Sequence, residues 1–394
     1  MYLTPIAPTD FSGNFDNKIL QKAELVCIES AKLLANYSPI LINEIKELLR
    51  ITNSYYSNRI ESEGTHPINI EKAMKKEYSK DSKEKAKQNL SLAHIESQKY
   101  LEKKDINPFN ESFVKLAHKQ FYSYDGMEQF LKIKEKDKTI IMVAGDFREN
   151  DVEVGKHIAI THQNLYKAYD EYERLYKIAT KFGTKTKKLI YILSSHHRLA
   201  WLHPFLDGNG RTSRLVLDSL FNYIGIEGYG LWNISRGLAR RNKDYKDYLA
   251  LADSPRTGDS DGRGELSKDQ LLQFVNFMLD ICLDQIKYMS EQLKIPTLDH
   301  RIETFVQTAS KSMYNIEPLP KHTDKLLRAL LIKGEVKRAD VANIIGTKDR
   351  TASSLVKTLI QREYIRSDTP RGKIRIKFNT YFAMKIFPEL MPEI

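Results

Sequence analysis

A Gly-Asn-Gly turn between two apolar helical segments limits what the middle of this chain can form. Residues 185–201 and 215–221 both carry apolar side chains at helical spacing, so the turn at Gly208–Gly210 lies at the N-terminus of the second helix. Backbone N–H groups are unpaired there, the helix dipole favours negative charge, and glycine lets an anion approach closely. The sequence therefore predicts an anion site at this turn.

Charged side chains flank the turn on both sides. Arg211 and Arg214 are three residues apart, so they share one face of the first helical turn and suit a polyphosphate better than a single carboxylate. Bare phosphate would repel Asp207, whose position fits a divalent cation such as Mg²⁺ that bridges phosphate oxygens. His203 could take a proton from an attacking hydroxyl. The pattern predicts a nucleotide site with a base; the plainer alternative is a glycine loop before a solvated helix.

The run from His203 to Arg214 is similar to the motif HPFx(D/E)GNGRxxR of the Fic (filamentation induced by cAMP) family and matches it at every specified position. The resemblance implies a mostly helical core in which the motif joins two helices. It also implies AMPylation, in which the AMP of ATP moves to a Ser, Thr or Tyr hydroxyl of a target protein and pyrophosphate is released. In that reaction His203 would be the base, and Asp207 would hold Mg²⁺.

The other motif residues fit the charge that such a transfer develops. The backbone of Gly208, Asn209 and Gly210, together with the Asn209 side chain, would donate hydrogen bonds to the transferred group. Arg211 would support the leaving pyrophosphate, and Arg214 would reach the γ-phosphate of ATP.

The adenine side of the site is less distinct in the sequence. The resemblance places a tyrosine-rich segment there that includes Tyr245, although Tyr245 and Tyr248 are equally compatible with half-buried packing. Asp253 stands where family members commonly have Asn. His196 and His197 precede the motif on an apolar helix, and we expect one to face the core and the other the solvent.

A second resemblance lies far upstream, at Ser57–Ser62. Some family members carry an inhibitory helix with the pattern (S/T)xxxE(G/N), whose Glu pairs with the second motif arginine and obstructs the γ-phosphate. Ser57 and Glu61 match this pattern, whereas Ser62 stands where Gly or Asn is expected and Glu63 is a rival carboxylate. In some members the same Glu helps water to remove AMP, so both directions stay open. The plain alternative is a Glu on a surface helix.

A short β-hairpin is predicted between residues 140 and 160. The β-branched stretch 138–143 is interrupted at 144–148, and apolar residues then alternate from Val152 to Ile160. Under the resemblance this hairpin is the flap that clamps the target segment beside the motif. Three flap residues are assigned in this way, namely Gly145, Phe147 and Arg148.

Composition narrows the class of protein. The 394 residues carry a formal net charge of +11, which favours contact with polyanions. Two cysteines, Cys27 and Cys282, make neither a disulfide framework nor a zinc spacing. No basic segment precedes an apolar run at the start, and no uncharged apolar run reaches about 18 residues. We therefore expect a cytoplasmic protein that does not enter a membrane, with an extended arm over its first 16 residues.

Residues 321–394 predict a second module. Three helices within 324–364 precede a basic hairpin at 365–377, which is the order of a winged helix-turn-helix. The segment has 16 Lys and Arg against 8 Asp and Glu, so its net +8 is most of the total +11. The third helix and the wing could contact duplex DNA, and protein contacts or a homodimer are the alternatives. The candidate DNA contacts are Lys348, Arg350, Thr351, Ser353, Ser354, Lys357, Arg371, Lys373, Arg375 and Lys377.

These features predict a mostly α protein with a Fic-type helical core, a small β-hairpin flap and a C-terminal winged-helix domain. The expected divisions are an N-terminal inhibitory helical region (1–104), a catalytic core (105–293), a connector (294–320) and the winged helix (321–394). On the resemblance, the core moves AMP to a target protein, or to this chain itself, under the control of Glu61. One alternative is a DNA-binding regulator whose core only senses ATP, which would need no base. Another is transfer of UMP, phosphate or phosphocholine.

Overall fold

The computed structural model describes residues 14–35, 37–135, 138–154, 157–262, 264–311, 313 and 316–393. These residues are mostly helical with short antiparallel strand pairs, which confirms the predicted fold class. The extended arm predicted for residues 1–16 lies outside the described residues up to residue 13, and the first helix begins at Asn14.

The helices before and within the motif region are α1 (Asn14–Lys32), α2 (Pro39–Ile60), α3 (Pro67–Met74), α4 (Ser82–Leu101), α5 (Glu111–Tyr122), α6 (His162–Lys181), α7 (Lys185–Leu202) and α8 (Asn209–Tyr223). The helices after it are α9 (Ile234–Arg240), α10 (Asn242–Leu251), α11 (Lys268–Gln292), α12 (Ile295–Ser310), α13 (Thr323–Lys333), α14 (Val341–Ile345), α15 (Asp349–Gln361) and α16 (Thr380–Ile386). The strands are β1 (Lys132–Glu135), β2 (Lys138–Ile141), β3 (Glu153–Val154), β4 (His157–Ile158), β5 (Glu335–Val336), β6 (Ile365–Arg366) and β7 (Ile374–Ile376).

Helix α7 lies at the centre of the core and positions the motif. It packs against α1, α6, α8 and α11. Its residues Leu189, Ile190, Ile192 and Leu193 are fully buried at neighbouring positions, so the helix is buried around most of its circumference. Because α7 ends at Leu202 and α8 begins at Asn209, the motif spans the connection between two well-packed helices.

Helix α2 carries the candidate inhibitory residues. The side chain of Ser38 caps it by accepting the Leu41 N–H (3.2 Å), and Pro39 occupies its first turn. At the other end, Glu63 N–H donates to Asn58 O (2.9 Å) and Ser62 N–H donates to Arg59 O (2.9 Å), which is a Schellman motif. Ser62 is the residue after the cap and has φ 63°. The left-handed conformation explains why Gly or Asn is expected there.

We expect Ser62→Gly to stabilise the protein by about 1 kcal/mol, because glycine removes most of the cost of the left-handed conformation. Thermal unfolding of the full chain measures this effect as a higher melting temperature. A matched control is Ser353→Gly, since Ser353 is exposed in the interior of α15 and glycine there lowers helix stability. If both changes lower the melting temperature, the helix does not end as described.

The single hairpin predicted between residues 140 and 160 is wrong. Two separate hairpins form instead, since β1 pairs with β2 and β3 pairs with β4, both antiparallel. The reason is the segment between them. Met142, Phe147 and Arg148 are buried in the core, so this stretch cannot serve as an exposed turn that brings β2 against β3.

Residues 321–393 form a helix, a strand, two helices and a strand pair, with α16 at the end. The sheet has the order β5-β7-β6 with antiparallel neighbours. The connector predicted for residues 294–320 contains α12, whose Leu298, Ile302 and Phe305 are fully buried, so it is part of the packed structure.

This C-terminal part is docked on the helices that precede the core. The buried carboxylate of Glu44 in α2 pairs with Arg366 (2.7 Å) and Arg375 (2.6 Å). The Tyr56 hydroxyl, also in α2, donates to the Leu390 carbonyl (3.1 Å). The C-terminal sheet and the helix bearing Glu61 therefore share an interface.

Candidate functional site

His203 occupies the end of α7 in a strained but well-supported conformation. Its φ and ψ are 48° and 58°, in the left-handed region. Arg148 fixes the backbone there, because its Nε donates to His203 O (2.8 Å) and its N–H donates to Pro204 O (2.8 Å). Burial, aided by the nearby positive charges of His157 and Arg148, lowers the pKa of His203 to about 4. The imidazole is therefore neutral near pH 7, the form that a general base requires.

The side chain of Asn209 holds the glycine turn in shape. Asn209 Oδ1 accepts the Phe205 N–H (2.9 Å) and Asn209 Nδ2 donates to Phe205 O (2.8 Å). The Asn209 side chain thus shapes the loop, so its contribution to an anion would come from its backbone. The first helical bond of α8 runs from Thr212 N–H to Gly208 O (2.9 Å), leaving the N–H groups of residues 209–211 at the helix end.

Gly208 is required at its position for two reasons. Its φ is 76°, and a β-carbon there would overlap the ring of Tyr122. Tyr122 is buried beside the turn and also lies within 3.3 Å of Arg211 Nη1. The packing of this tyrosine therefore ties the shape of the turn to the position of the first motif arginine.

Arg214 meets both residues predicted for the inhibitory helix. Its side chain is 1% exposed; Nε donates to Ser57 Oγ (2.9 Å), and Nη2 donates to Ser57 O (2.9 Å) and Glu61 Oε1 (2.7 Å). A β-carbon placed on Gly210 would overlap Glu61 Oε1, so this carboxylate lies directly over the first turn of α8. Glu61 therefore occupies the place at which the sequence predicts an anion.

Arg211 pairs with the rival carboxylate. Its Nη2 forms an ion pair with Glu63, and its Nε donates to Asn58 Oδ1 (3.1 Å). Burial lowers the pKa of Arg211 to about 10, which still leaves it charged at neutral pH. Glu61 and Glu63 thus each hold one motif arginine, whereas the sequence had presented them as alternatives.

Asp207 is exposed beside the turn. Its Oδ1 accepts the N–H of Gly208 (2.7 Å). Although the side chain reaches solvent, the protein around its carboxyl removes part of the water there and, together with the charge of Glu61, raises the pKa of Asp207 above its ordinary value against the Gly208 hydrogen bond. Within the described ranges, no group of three or more His, Cys, Asp or Glu side chains is arranged to hold a metal ion. A cation on Asp207 would therefore take most of its ligands from substrate and water.

The predicted flap residues support the motif from behind. Gly145 donates its N–H to His118 Nδ1 (2.9 Å), and the His118 ring stacks on Phe205 with centroids 3.9 Å apart. Phe147 is buried and packs edge-on against Phe205. With Arg148 on the His203 carbonyl, these three residues lie outside both hairpins and shape the loop that carries the base.

Tyr245 lies in the core rather than on an open surface. It is 3% exposed, and its hydroxyl lies 2.8 Å from His196 Nε2. Tyr248 stacks on Phe277 with centroids 4.6 Å apart. The structure therefore favours the packing interpretation of both tyrosines. The expectation that His196 or His197 faces solvent is wrong, because α7 is buried around this point and both rings lie in the core.

The sequence analysis did not predict an ion pair between His157 and Asp253, which lies beside His203. His157 Nδ1, on β4, lies 3.0 Å from Asp253 Oδ2, beyond the end of α10. The His157 ring centroid is 6.4 Å from that of His203. The only sequence signal was the acidic residue at Asp253 where Asn is common, and nothing local pointed to its partner.

Fold and geometry thus place a glycine turn between two helices, with a histidine at the end of the first helix and two buried arginines in the second. Residues 108–221 match the model of the Fic/DOC family, and this match covers less than a third of the chain. The proteins named protein adenylyltransferase Fic from Drosophila melanogaster and Drosophila ananassae are 36% and 35% identical to it over 81 residues. That region is 21% of this chain, and the match spans 16% of the length of each of these relatives.

Two solved structures share the fold. A Fic family protein from Desulfovibrio desulfuricans G20 aligns with a TM-score of 0.54 at 16% identity, covering 96% of this chain and 99% of that one. A Fic domain containing signaling protein from Bacteroides thetaiotaomicron aligns with a TM-score of 0.52 at 14% identity, covering 68% and 95%. Separately, none of the helices in the described part of the chain combines the length and apolar character needed to cross a membrane.

Proposed function

We propose that this protein is an adenylyltransferase that moves AMP from ATP to a hydroxyl of a target protein or of this chain itself. The observation that carries the proposal is the position of His203 beside the N-terminal turn of α8 and its two buried arginines, Arg211 and Arg214. The names of the partial relatives from Drosophila support the same activity.

The chemical step follows from these groups. The acceptor oxygen attacks the α-phosphorus while His203 takes its proton, so the new P–O bond forms as the hydroxyl is deprotonated. The bond from the α-phosphorus to the bridging oxygen breaks, and pyrophosphate leaves with the electron pair. Backbone N–H groups at residues 209–211 stabilise charge on the transferred group, and Arg211 stabilises the leaving group.

Asp207 is the residue that would hold Mg²⁺ with the substrate. Its exposed carboxylate has one oxygen on Gly208 N–H and lies next to the turn, which suits a cation that keeps several water and phosphate ligands. When bound, such an ion neutralises charge on the phosphates.

Glu61 would inhibit the enzyme by pairing with Arg214, the arginine assigned to the γ-phosphate of ATP. Burial alone would raise the pKa of Glu61, but Arg214 and then Arg211 lower it below its ordinary value. The ion pair is thus complete at neutral pH and is lost only as the pH falls through the lowered pKa. The same carboxylate could direct water at an AMP ester, so removal of AMP belongs to the proposal.

Labelled ATP tests the reaction and separates it from its rivals. Full-length protein incubated with ATP labelled at the α-phosphate should become covalently labelled, whereas γ-labelled ATP should leave no label. Transfer of phosphate would reverse this result, and a sensor that only binds ATP would give no covalent label with either nucleotide. Mass mapping of the labelled peptide then identifies the acceptor hydroxyl.

The division into an N-terminal inhibitory region, a catalytic core and a C-terminal winged helix is also proposed, with duplex DNA as the second partner. Helix α15 and the residue before it favour binding to DNA. Their side chains Lys348, Arg350 and Lys357 are exposed and make no side-chain hydrogen bond or ion pair to other residues the structure describes. The basic residues of the hairpin at 365–377, the wing, are less available for contacts with DNA phosphates. Arg375 pairs with Glu44 and Asp368, and Lys373 pairs with Glu335.

A mobility shift with the full chain tests this partner. Binding to duplex DNA at low salt should weaken as salt rises, and Arg350→Ala with Lys357→Ala should weaken it further and flatten the salt dependence. If the full chain binds no duplex at low salt, the DNA proposal fails and a protein contact or homodimer through this surface remains.

A further inference from the structure

Both ring nitrogens of His157 face hydrogen-bond acceptors. Nδ1 lies 3.0 Å from the carboxylate of Asp253, and Nε2 lies 2.9 Å from the carbonyl oxygen of Trp201. A neutral imidazole has one N–H and cannot donate to two acceptors at once. The geometry therefore requires the doubly protonated, positively charged imidazolium at position 157.

The neighbouring His197 shows the contrast. Its Nε2 lies 2.9 Å from Leu249 O and 3.2 Å from Asp253 Oδ1, while its Nδ1 accepts from Arg198 Nη1 (3.0 Å). One donor and one acceptor nitrogen describe a neutral ring, and burial lowers the pKa of His197 in agreement with this. Asp253 thus shares its carboxylate between a neutral histidine and a charged one.

The imidazolium connects three elements around the base. His157 belongs to β4, which pairs only with β3 among the described strands. Trp201 lies in the last turn of α7, two residues before His203, and Asp253 follows α10. The two contacts of His157 therefore attach the β3–β4 hairpin to Asp253 and to the end of α7, the helix that leads to His203.

We propose that His157 is a positioning residue, a latch that holds the β3–β4 hairpin against Asp253 and the end of α7 while its imidazole is protonated. The latch deepens the proposed AMP transfer and rests on it, because the His157 ring lies 6.4 Å from the ring of His203, so the fastened hairpin borders the place where the acceptor hydroxyl would meet the base. Deprotonation leaves one N–H for two acceptors, so one of the two attachments must break.

The charged groups around His157 set the direction of its titration. Burial lowers its pKa, but the hydrogen bond and charge of Asp253 outweigh burial and the opposing charge of Arg148, so the pKa lies above its ordinary value. Hydrogen bonds from His157 and His197 overcome burial and hold the pKa of Asp253 at about 2. The latch is therefore closed below the ordinary pKa of histidine and opens as the pH rises through the raised value.

His157 also acts on the base through its charge. Burial, and after it the charge of the imidazolium, lowers the pKa of His203 to about 4. Transfer should then show an acidic limb from His203 and an alkaline limb from His157. The two limbs belong to different residues, so they can be moved separately.

The test uses pH profiles of kcat/KM for AMP transfer in a Glu61→Gly background. His157→Gln should abolish the alkaline limb and lower kcat/KM by on the order of tenfold to a hundredfold through misplacement of the acceptor. Asp253→Asn should shift the alkaline limb to lower pH, because the charge that stabilises the imidazolium is gone. A matched control is His162→Gln, since His162 pairs with Asp151 at 3.0 Å on the exposed side and should leave the profile unchanged. An unchanged alkaline limb in both latch variants, with circular dichroism melting curves like the parent's, would overturn the latch.

A second readout separates the latch from the transfer activity. In the full chain labelled with ¹⁵N-histidine, the His157 signal, identified by its loss in His157→Gln, should show both nitrogens protonated up to a higher pH than in free histidine. It should deprotonate at lower pH in Asp253→Asn. If AMP transfer fails but this titration holds, the latch geometry stands and the proposed reaction does not. A His157 that titrates at or below the ordinary pKa of histidine contradicts the latch whatever the activity.

Discussion

Glu61→Gly will raise AMP transfer on the order of a hundredfold over the wild-type protein at neutral pH. The scale follows from what one preorganised donor to a reacting phosphate contributes. In the structure Arg214 is fully buried and held by Ser57 and Glu61, so the γ-phosphate cannot reach it without displacing a carboxylate. The measurement is covalent label from α-labelled ATP per unit time, with auto-modification and added protein targets followed separately.

Glu63→Gly is the matched comparison for that experiment. Glu63 pairs with Arg211, so its loss frees the arginine assigned to the leaving pyrophosphate while Glu61 still covers the first turn of α8. We expect Glu63→Gly to give a smaller gain than Glu61→Gly. If Glu63→Gly activates and Glu61→Gly does not, the inhibitory carboxylate has been placed two residues too early.

Contacts that the sequence pattern and the structure have in common are local along the chain or lie within one motif. The turn at Gly208–Gly210 follows from glycine chemistry and helix ends, and the spacing from Ser57 to Glu61 is one helical turn, so both reach the same guanidinium. In the sequence, Ser62 departs from the inhibitory-helix pattern, which has Gly or Asn at this position. Its φ of 63° shows that the position needs the conformation for which glycine and asparagine are favoured.

Contacts that the sequence missed join segments distant along the chain. Alternation of apolar residues marked strands on both sides of Phe147, but it carried no information on which strand pairs with which. The partner of His157 is Asp253, on another element, and only the folded arrangement brings them together. The resemblance placed Tyr245 at the adenine side of the site, yet in the structure its side chain is buried beside His196.

His203 substitutions will remove AMP transfer in the Glu61→Gly background, by on the order of a hundredfold to ten-thousandfold, because a positioned base contributes that much. The backbone conformation of His203 determines which substitution is suitable. Since His203 has φ 48°, alanine would add backbone strain to the loss of the base. Asparagine tolerates the left-handed conformation, so His203→Asn tests the imidazole with the loop geometry kept.

Nucleotide binding separates loss of the base from loss of the site. The proposed ATP contacts are the turn, Arg211 and Arg214, and none passes through the His203 ring, so affinity for ATP should stay within about threefold in His203→Asn, a change of about 0.6 kcal/mol. Equilibrium binding of ATP beside the labelling rate measures both quantities on one protein. Full transfer by His203→Asn would show that another group takes the proton. His118 is not that group in this arrangement, because its Nδ1 accepts from Gly145 and its ring is stacked beneath Phe205. A loss of transfer with ATP binding retained would leave His203, held by Arg148 at the end of α7, as the residue that activates the acceptor hydroxyl.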